Sequence, residues 1–328
     1  MENKKIKEYI EEIAKKYKES YSEFVKENSL LFYEIGNIEI NKIQGLEKYV
    51  DLEEKNYSPM EINDAFEIAQ QFFNMHNIRN NLKEMYDRGK IKFYYDNGER
   101  KNQFFNENFG PTSYQGYDEE RRKYVDMVIS KSIMDVFGII HEVTHYMNQP
   151  LGERNMISDM LTEALSYGME LIFAQALLNS KFKINDAKIF ICNCHIEIFQ
   201  YAYRMNSIHR ILYLYKNYKK IDKNQYNKII SNGNYENDIA EFEKYINGNR
   251  DYVRDTWDFL GRSLSLYIYN EYRKDKDFTN KLSKFNDAIN YMSFEYCLQT
   301  IGIKNPNDMI STISNAIDLN IDYMKKRF

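Results

Sequence analysis

Four prolines and thirteen glycines are few for 328 residues. That leaves little material for the turns of an all-β chain and favours long helices. Three cysteines are too few, and odd in number, for a disulfide framework. Cys192 and Cys194 fall in an apolar helical run, so they and Cys297 read as reduced core thiols. Cys192, Cys194 and His195 do not make a soft-metal cluster, because positions i, i+2 and i+3 on a helix do not converge. No run approaches the roughly twenty apolar residues of a bilayer span. The first residues, Met-Glu-Asn-Lys-Lys-Ile-Lys, lead into a charged amphipathic helix with no apolar signal core. A cytoplasmic protein is expected. The net charge of −4 gives no excess of either sign, so neither nucleic acid nor membrane is expected as a partner.

What is present is ordinary in bulk and unusual in one place. Hydrophobic residues at 43% and charged residues at 29% fit a globular chain able to bury a large core. The 29 tyrosines reflect compositional bias as much as function. The unusual place is Asp135-Val-Phe-Gly-Ile-Ile-His141-Glu142-Val-Thr144-His145, a His-Glu-x-x-His motif inside a helical pattern. Two histidines four apart lie one turn from each other on one helical face and can bind one Zn²⁺. Glu142 then faces the water on that metal as a general base. Ser132-Ile-Met-Asp135 has the form of a capping box, Ile133, Val136, Phe137 and Ile140 supply a buried face, and Pro150 and Gly152 stop the helix.

A catalytic zinc takes a third protein ligand. The next predicted helix, Asp159 to Leu178, is largely apolar but carries Glu163, Ser166 and Glu170 at i, i+3 and i+7. Such a stripe needs polar partners if it is buried, and a metal with supporting hydrogen bonds would supply them. Glu163 follows His145 by eighteen positions (163 − 145), enough for a loop and a returning helix. The expected ligands are His141, His145 and Glu163, with one zinc per chain. Glu170, Ser166 and Asp135 are expected to support them, Glu170 by orienting a histidine.

In chain order, residues 1–57 read as an amino-terminal helical segment and residues 58–328 as one catalytic domain. Ser58-Pro59-Met-Glu61 reads as a helix start. Residues 90–95 and 103–105, joined by the turn Asp96-Asn-Gly98, and residues 124–129 read as short strands. Asn108 to Gly116 reads as loop. A strand edge beside the zinc helix is a natural place for an extended peptide to add. Beyond residue 178 the chain returns to helix, and the single histidines His195 and His209 read as packed or surface residues.

These segments together resemble the thimet oligopeptidase and oligoendopeptidase F group of zinc peptidases. The resemblance rests on Ser58-Pro59-Met-Glu, Met85-Tyr-Asp-Arg-Gly89-Lys-Ile, Tyr124 to Ser130, the zinc helix from Asp135, and Glu163-Ala-Leu-Ser166 with Glu170. His195-Ile-Glu197 and Tyr213-Leu-Tyr215 fall where similar segments are expected. It covers roughly residues 58–328 and implies a mainly α, zincin-like catalytic domain with a small β-sheet beside the zinc helix. It also implies a deep cleft that admits short unstructured peptides. Three features depart from the family. The chain is short, so the cleft's roof would need a homo-oligomer to rebuild it. Thr144 stands where the family has a small glycine. The family's late His and Tyr pair, which stabilises the oxyanion, has no histidine in Asn249 to Gly261, and Tyr252 is the substitute donor. The expected function is a zinc-dependent oligopeptidase acting through Glu-activated water. The alternatives are a zinc-containing peptide-binding protein and a processing protease for a single substrate.

Overall fold

The computed structural model describes residues 57–76, 82–95, 114–117, 123–148 and 156–328 apart from 232 and 276, together with residues 4, 5, 7–9 and 11. It divides into two compact units, Gly45–Cys194 with Leu260–Phe328, and Met1–Gln44 with His195–Phe259. Mainly helical, with one small sheet, the architecture is the one expected from the sequence. Among the described residues no helix is long and apolar enough to cross a membrane.

The larger unit begins with α1 (Ile62–Met75), α2 (Leu82–Asp87) and the strands β1 (Ile91–Tyr95), β2 (Tyr114–Tyr117) and β3 (Lys123–Ile129). The next two helices are α3 (Met134–Asn148) and α4 (Met156–Ser180). α3 packs between α1, α4 and the sheet. Its core is aromatic: Phe137 is fully buried, stacks on Phe190 at 3.9 Å between centroids and meets Phe173 edge-on at 5.0 Å. Truncating such a residue to Ala typically costs about 3–5 kcal/mol. Two helices, α5 (Ile184–Tyr218) and α8 (Tyr252–Lys274), supply residues to both units. α9 (Phe278–Ala288), α10 (Phe294–Thr300) and α11 (Pro306–Arg327) complete the larger unit. Between α10 and α11, Gly302 takes φ +96°, a left-handed turn that glycine adopts without strain.

Three local expectations are corrected. Ser58 is not a helix cap: its backbone N and its Oγ bond the carboxylate of Asp186 at 2.8 and 2.7 Å, and Pro59 pairs with Ser132 in an antiparallel bridge. α1 starts only at Ile62. A distant carboxylate has outcompeted the local cap. Tyr114 to Gly116, read as loop, lie in β2. The strand before the zinc helix, β3, is also not an edge. It is central, parallel to β1 and antiparallel to β2, so an added peptide strand would have to use β1 or β2. The expected strand at 103–105 and most of the amino-terminal segment lie outside the described residues.

The smaller unit contains α6 (Lys223–Ile229) and α7 (Tyr235–Ile246) with its parts of α5 and α8. Asp222 and Asn234 cap α6 and α7, their side chains accepting from the backbone N–H groups of Gln225 and Asn237. At its centre Arg210 grips the fully buried Asp238 through two bonds, Nε to Oδ2 at 2.6 Å and Nη2 to Oδ1 at 2.8 Å, while the Tyr226 hydroxyl donates to the same carboxylate. Tyr9 packs edge-on against Phe242 at 5.8 Å.

Candidate metal centre

The turn into α3 sets the geometry. Asp135 Oδ1 accepts from the backbone N and Oγ of Ser130 at 2.7 and 2.9 Å, and Ser132 Oγ accepts from the N–H of Met134. One of the helix's orphan donors, the Met134 N–H, is thus satisfied, and the Asp135 carboxylate sits where the helix dipole favours negative charge. Val136, Phe137, Ile139, Ile140 and Val143 fill the core. With those positions inside, His141 and Glu142 are left half-buried and His145 lies one turn on. α4 packs alongside, and α8 closes on it at Gly261. A Cβ there would meet Glu163 Cβ at 2.8 Å, Met160 O at 3.1 Å and Ala164 N at 3.2 Å. Only glycine lets the helices approach at the turn that carries Glu163.

His141, His145 and Glu163 come together from α3 and α4. The two Nε2 atoms are 3.0 Å apart, and Glu163 Oε2 lies 3.6 Å from His141 Nε2 and 3.3 Å from His145 Nε2. Tetrahedral zinc with bonds of about 2.0–2.1 Å separates its nitrogen and oxygen ligands by about 3.3 Å. The observed triangle brackets that edge length. Glu163 Oε2 is buried and meets no donor with hydrogen-bond geometry among the described residues. A buried carboxylate oxygen facing two imidazole nitrogens, with no such donor to satisfy it, fits a cation at their common apex.

The electrostatics agree. Burial alone would lower the pKa of His141, but the carboxylates of Glu170, Glu163 and Glu142 outweigh it and hold it at about 9. Burial would raise Glu163, but His145, His141 and Arg262 pull it down to about 2. It is therefore a carboxylate throughout the working pH range. Glu142 is shifted upward, chiefly by burial, against the pull of both histidines. A partly desolvated carboxylate of that kind is a better proton acceptor than an exposed one.

Glu170 Oε1 stands 3.4 Å from His141 Nδ1, on the ring's far side from Nε2. Asp135 is at the helix start, holding Ser130. The fully buried Ser166 Oγ has no hydrogen-bond partner among the described residues, so no bond ties it to the ligands. Tyr252 belongs to the smaller unit, where its buried hydroxyl lies 3.2 Å from His209 Nε2. Burial lowers that histidine to about 4, so it is neutral. Two neighbours were missed from the sequence. Tyr167, one turn beyond Glu163, meets the His141 ring edge-on at 4.8 Å, and the Arg262 guanidinium lies 3.9 Å above Tyr167 with Nη2 donating to its hydroxyl at 2.6 Å. The spacing of Tyr167 after Glu163 was a usable signal. Arg262 had none, being 95 positions from its partner.

No family model matches the sequence, and no curated protein matches it. Among solved structures, the fold is that of the oligoendopeptidase class of helical proteins. The match is to the crystal structure of a Bacillus anthracis str. Ames protein assigned to oligoendopeptidase F, with a TM-score of 0.60 and 12% identity. It covers 94% of this chain and 57% of that one, so the present chain spans little more than half the length of its structural neighbour.

Proposed function

We propose that the chain is a zinc-dependent peptidase that hydrolyses short or unstructured peptides. The observation that carries this reading is the His141, His145 and Glu163 triangle, sized for one tetrahedral metal ion, on adjacent helices of an oligoendopeptidase-like fold. Zinc, when bound, would polarise the scissile carbonyl and acidify a water molecule. The chain's own residues do the rest. His141 and His145 offer Nε2 and Glu163 offers Oε2, while Glu170 orients His141 through Nδ1. Glu142 takes the proton of the attacking water and returns it to the leaving amine. Tyr252, the oxyanion donor expected from the sequence, pairs with His209 within the smaller unit. A homo-oligomer would supply the wall that a chain of this length does not, and the compartment proposed is the cytoplasm.

A second reading, a zinc-holding peptide binder or a processor of one peptide, is favoured by the lack of a histidine in Asn249 to Gly261. One experiment separates them: metal content and cleavage of a quenched peptide library, wild type beside Glu142→Gln. The peptidase reading expects one zinc per chain in both proteins and cleavage only in the wild type. Stoichiometric zinc with no library cleavage would favour the second reading. No bound metal would remove the site.

A further inference from the structure

Arg273, on α8, is a partly buried cation whose described partners are all neutral. Its Nη2 donates to Asn270 Oδ1 at 3.0 Å and to Asn320 Oδ1. Its guanidinium is stacked 3.9 Å from the Tyr323 ring and 4.9 Å from the Tyr269 ring. Both tyrosine hydroxyls donate to Gln175 Oε1, at 3.1 and 2.9 Å, which fixes the rings and hence the guanidinium between them. Its Nε is buried with no hydrogen-bond partner among the described residues. Burial lowers its pKa, against the opposing pull of Tyr269 and Tyr323. Arg210, by contrast, holds a carboxylate through two bonds.

The arginine lines a cavity of about 560 Å³, and two more cations, Lys188 of α5 and Arg327 of α11, line it too. No Asp or Glu side chain is among the described lining residues, and the one other acidic group there is the α-carboxylate of Phe328. The walls otherwise include Tyr272, Tyr323 and Leu178. The volume is in the range of small-molecule sites. Three cations around one concavity form a positive focus, and an arginine fork matches the geometry of phosphate oxygens. A buried charge also calls for a counter-charge.

We propose that this cavity binds a small phosphate-bearing molecule, its phosphate against Arg273, Lys188 and Arg327 and its organic part against the tyrosine rings. None of these residues belongs to the metal centre, so the proposal stands whether or not the peptidase reading does.

The test is thermal unfolding of the full chain titrated with inorganic phosphate at constant ionic strength, with succinate as the carboxylate control. Lys188→Gln and Arg327→Gln carry the decisive comparison, because neither side chain takes part in the tyrosine and asparagine network. Wild type should be stabilised saturably by phosphate and much less by succinate. Each variant should need roughly 10- to 100-fold more phosphate, the scale of losing a hydrogen bond to a charged group. Arg273→Gln should lose the response while keeping the wild-type far-ultraviolet spectrum. Cleavage of library peptides should be unchanged in the two lysine and arginine variants. No phosphate effect in wild type, an equal effect of succinate, or an undiminished effect in Lys188→Gln and Arg327→Gln would overturn the proposal. The last result would place the phosphate elsewhere, for instance on the metal centre.

Discussion

Both units bury charged side chains at their centres, and they do so in opposite ways. In the smaller unit Arg210, Asp238 and Tyr226 form a closed set, in which the carboxylate takes two bonds from the guanidinium and one from the phenol. In the larger unit His141, His145 and Glu163 form an open set, in which three potential metal ligands converge and the carboxylate oxygen meets no hydrogen-bond donor among the described residues. A closed set is complete within the chain and serves the fold. An open set is incomplete until something positive enters, and that separates a binding site from a core.

The comparison breaks most sharply at Asp238. Removing one member of a buried ion pair leaves the other charge uncompensated, at about 3–5 kcal/mol. Asp238→Ala should therefore lower stability by that amount in urea unfolding, with zinc content per folded chain unchanged. A loss below about 1 kcal/mol would mean that Arg210 finds other partners and that the set is not closed.

Glu163→Gln makes the converse change in the open set. Stoichiometric zinc loading should be lost, because a neutral amide is a poor partner for a hard cation beside two imidazoles. Chelator should therefore lower the melting midpoint of wild type and leave that of the variant where it was. A variant that keeps stoichiometric zinc would show that Glu163 is not a ligand.

Gly261→Ala tests how the open set is held. The added Cβ would press on Glu163 Cβ and on the backbone of Met160 and Ala164, so α8 or α4 must shift. Overpacking of this kind costs about 1–3 kcal/mol. Zinc affinity should fall together with stability, because the strained turn carries a ligand. A variant that loses stability but keeps wild-type zinc affinity would uncouple that turn from the site.

The parts of the molecule legible in the sequence were those that a helical period writes down. His141 and His145 at i and i+4, and Glu163 and Glu170 at i and i+7, each announce a shared face without knowledge of the fold. The parts that were not legible depend on partners far along the chain. Ser58 looked like a cap until Asp186, 128 positions away, took its hydrogen bonds. Tyr252 had no histidine within its own stretch, yet it meets His209 from 43 positions earlier. β3 read as an edge because its parallel partner β1 precedes it by 32 positions and its other partner β2 sits in what looked like loop. Local preference sets which residues share a face, and tertiary pairing decides whom that face meets.

The mildest expected effect belongs to Glu170, which touches the open set without completing it. Its Oε1 lies 3.4 Å from His141 Nδ1. A carboxylate there fixes the ring's tautomer, so that Nε2 carries the lone pair, and strengthens that nitrogen as a donor to the metal. Loss of such a partner typically weakens metal binding about 10–100-fold. Glu170→Gln keeps an acceptor near Nδ1 but removes the charge, so it should lie at the low end of that range, and Glu170→Ala at the high end. Competition with a chelator would measure both, with unfolding curves confirming that the fold persists. The graded order matters more than either number. Equal losses would mean that the remaining acceptor is irrelevant and only the charge counts. No loss in either would make Glu170 a buried polar residue that merely happens to lie beside the site.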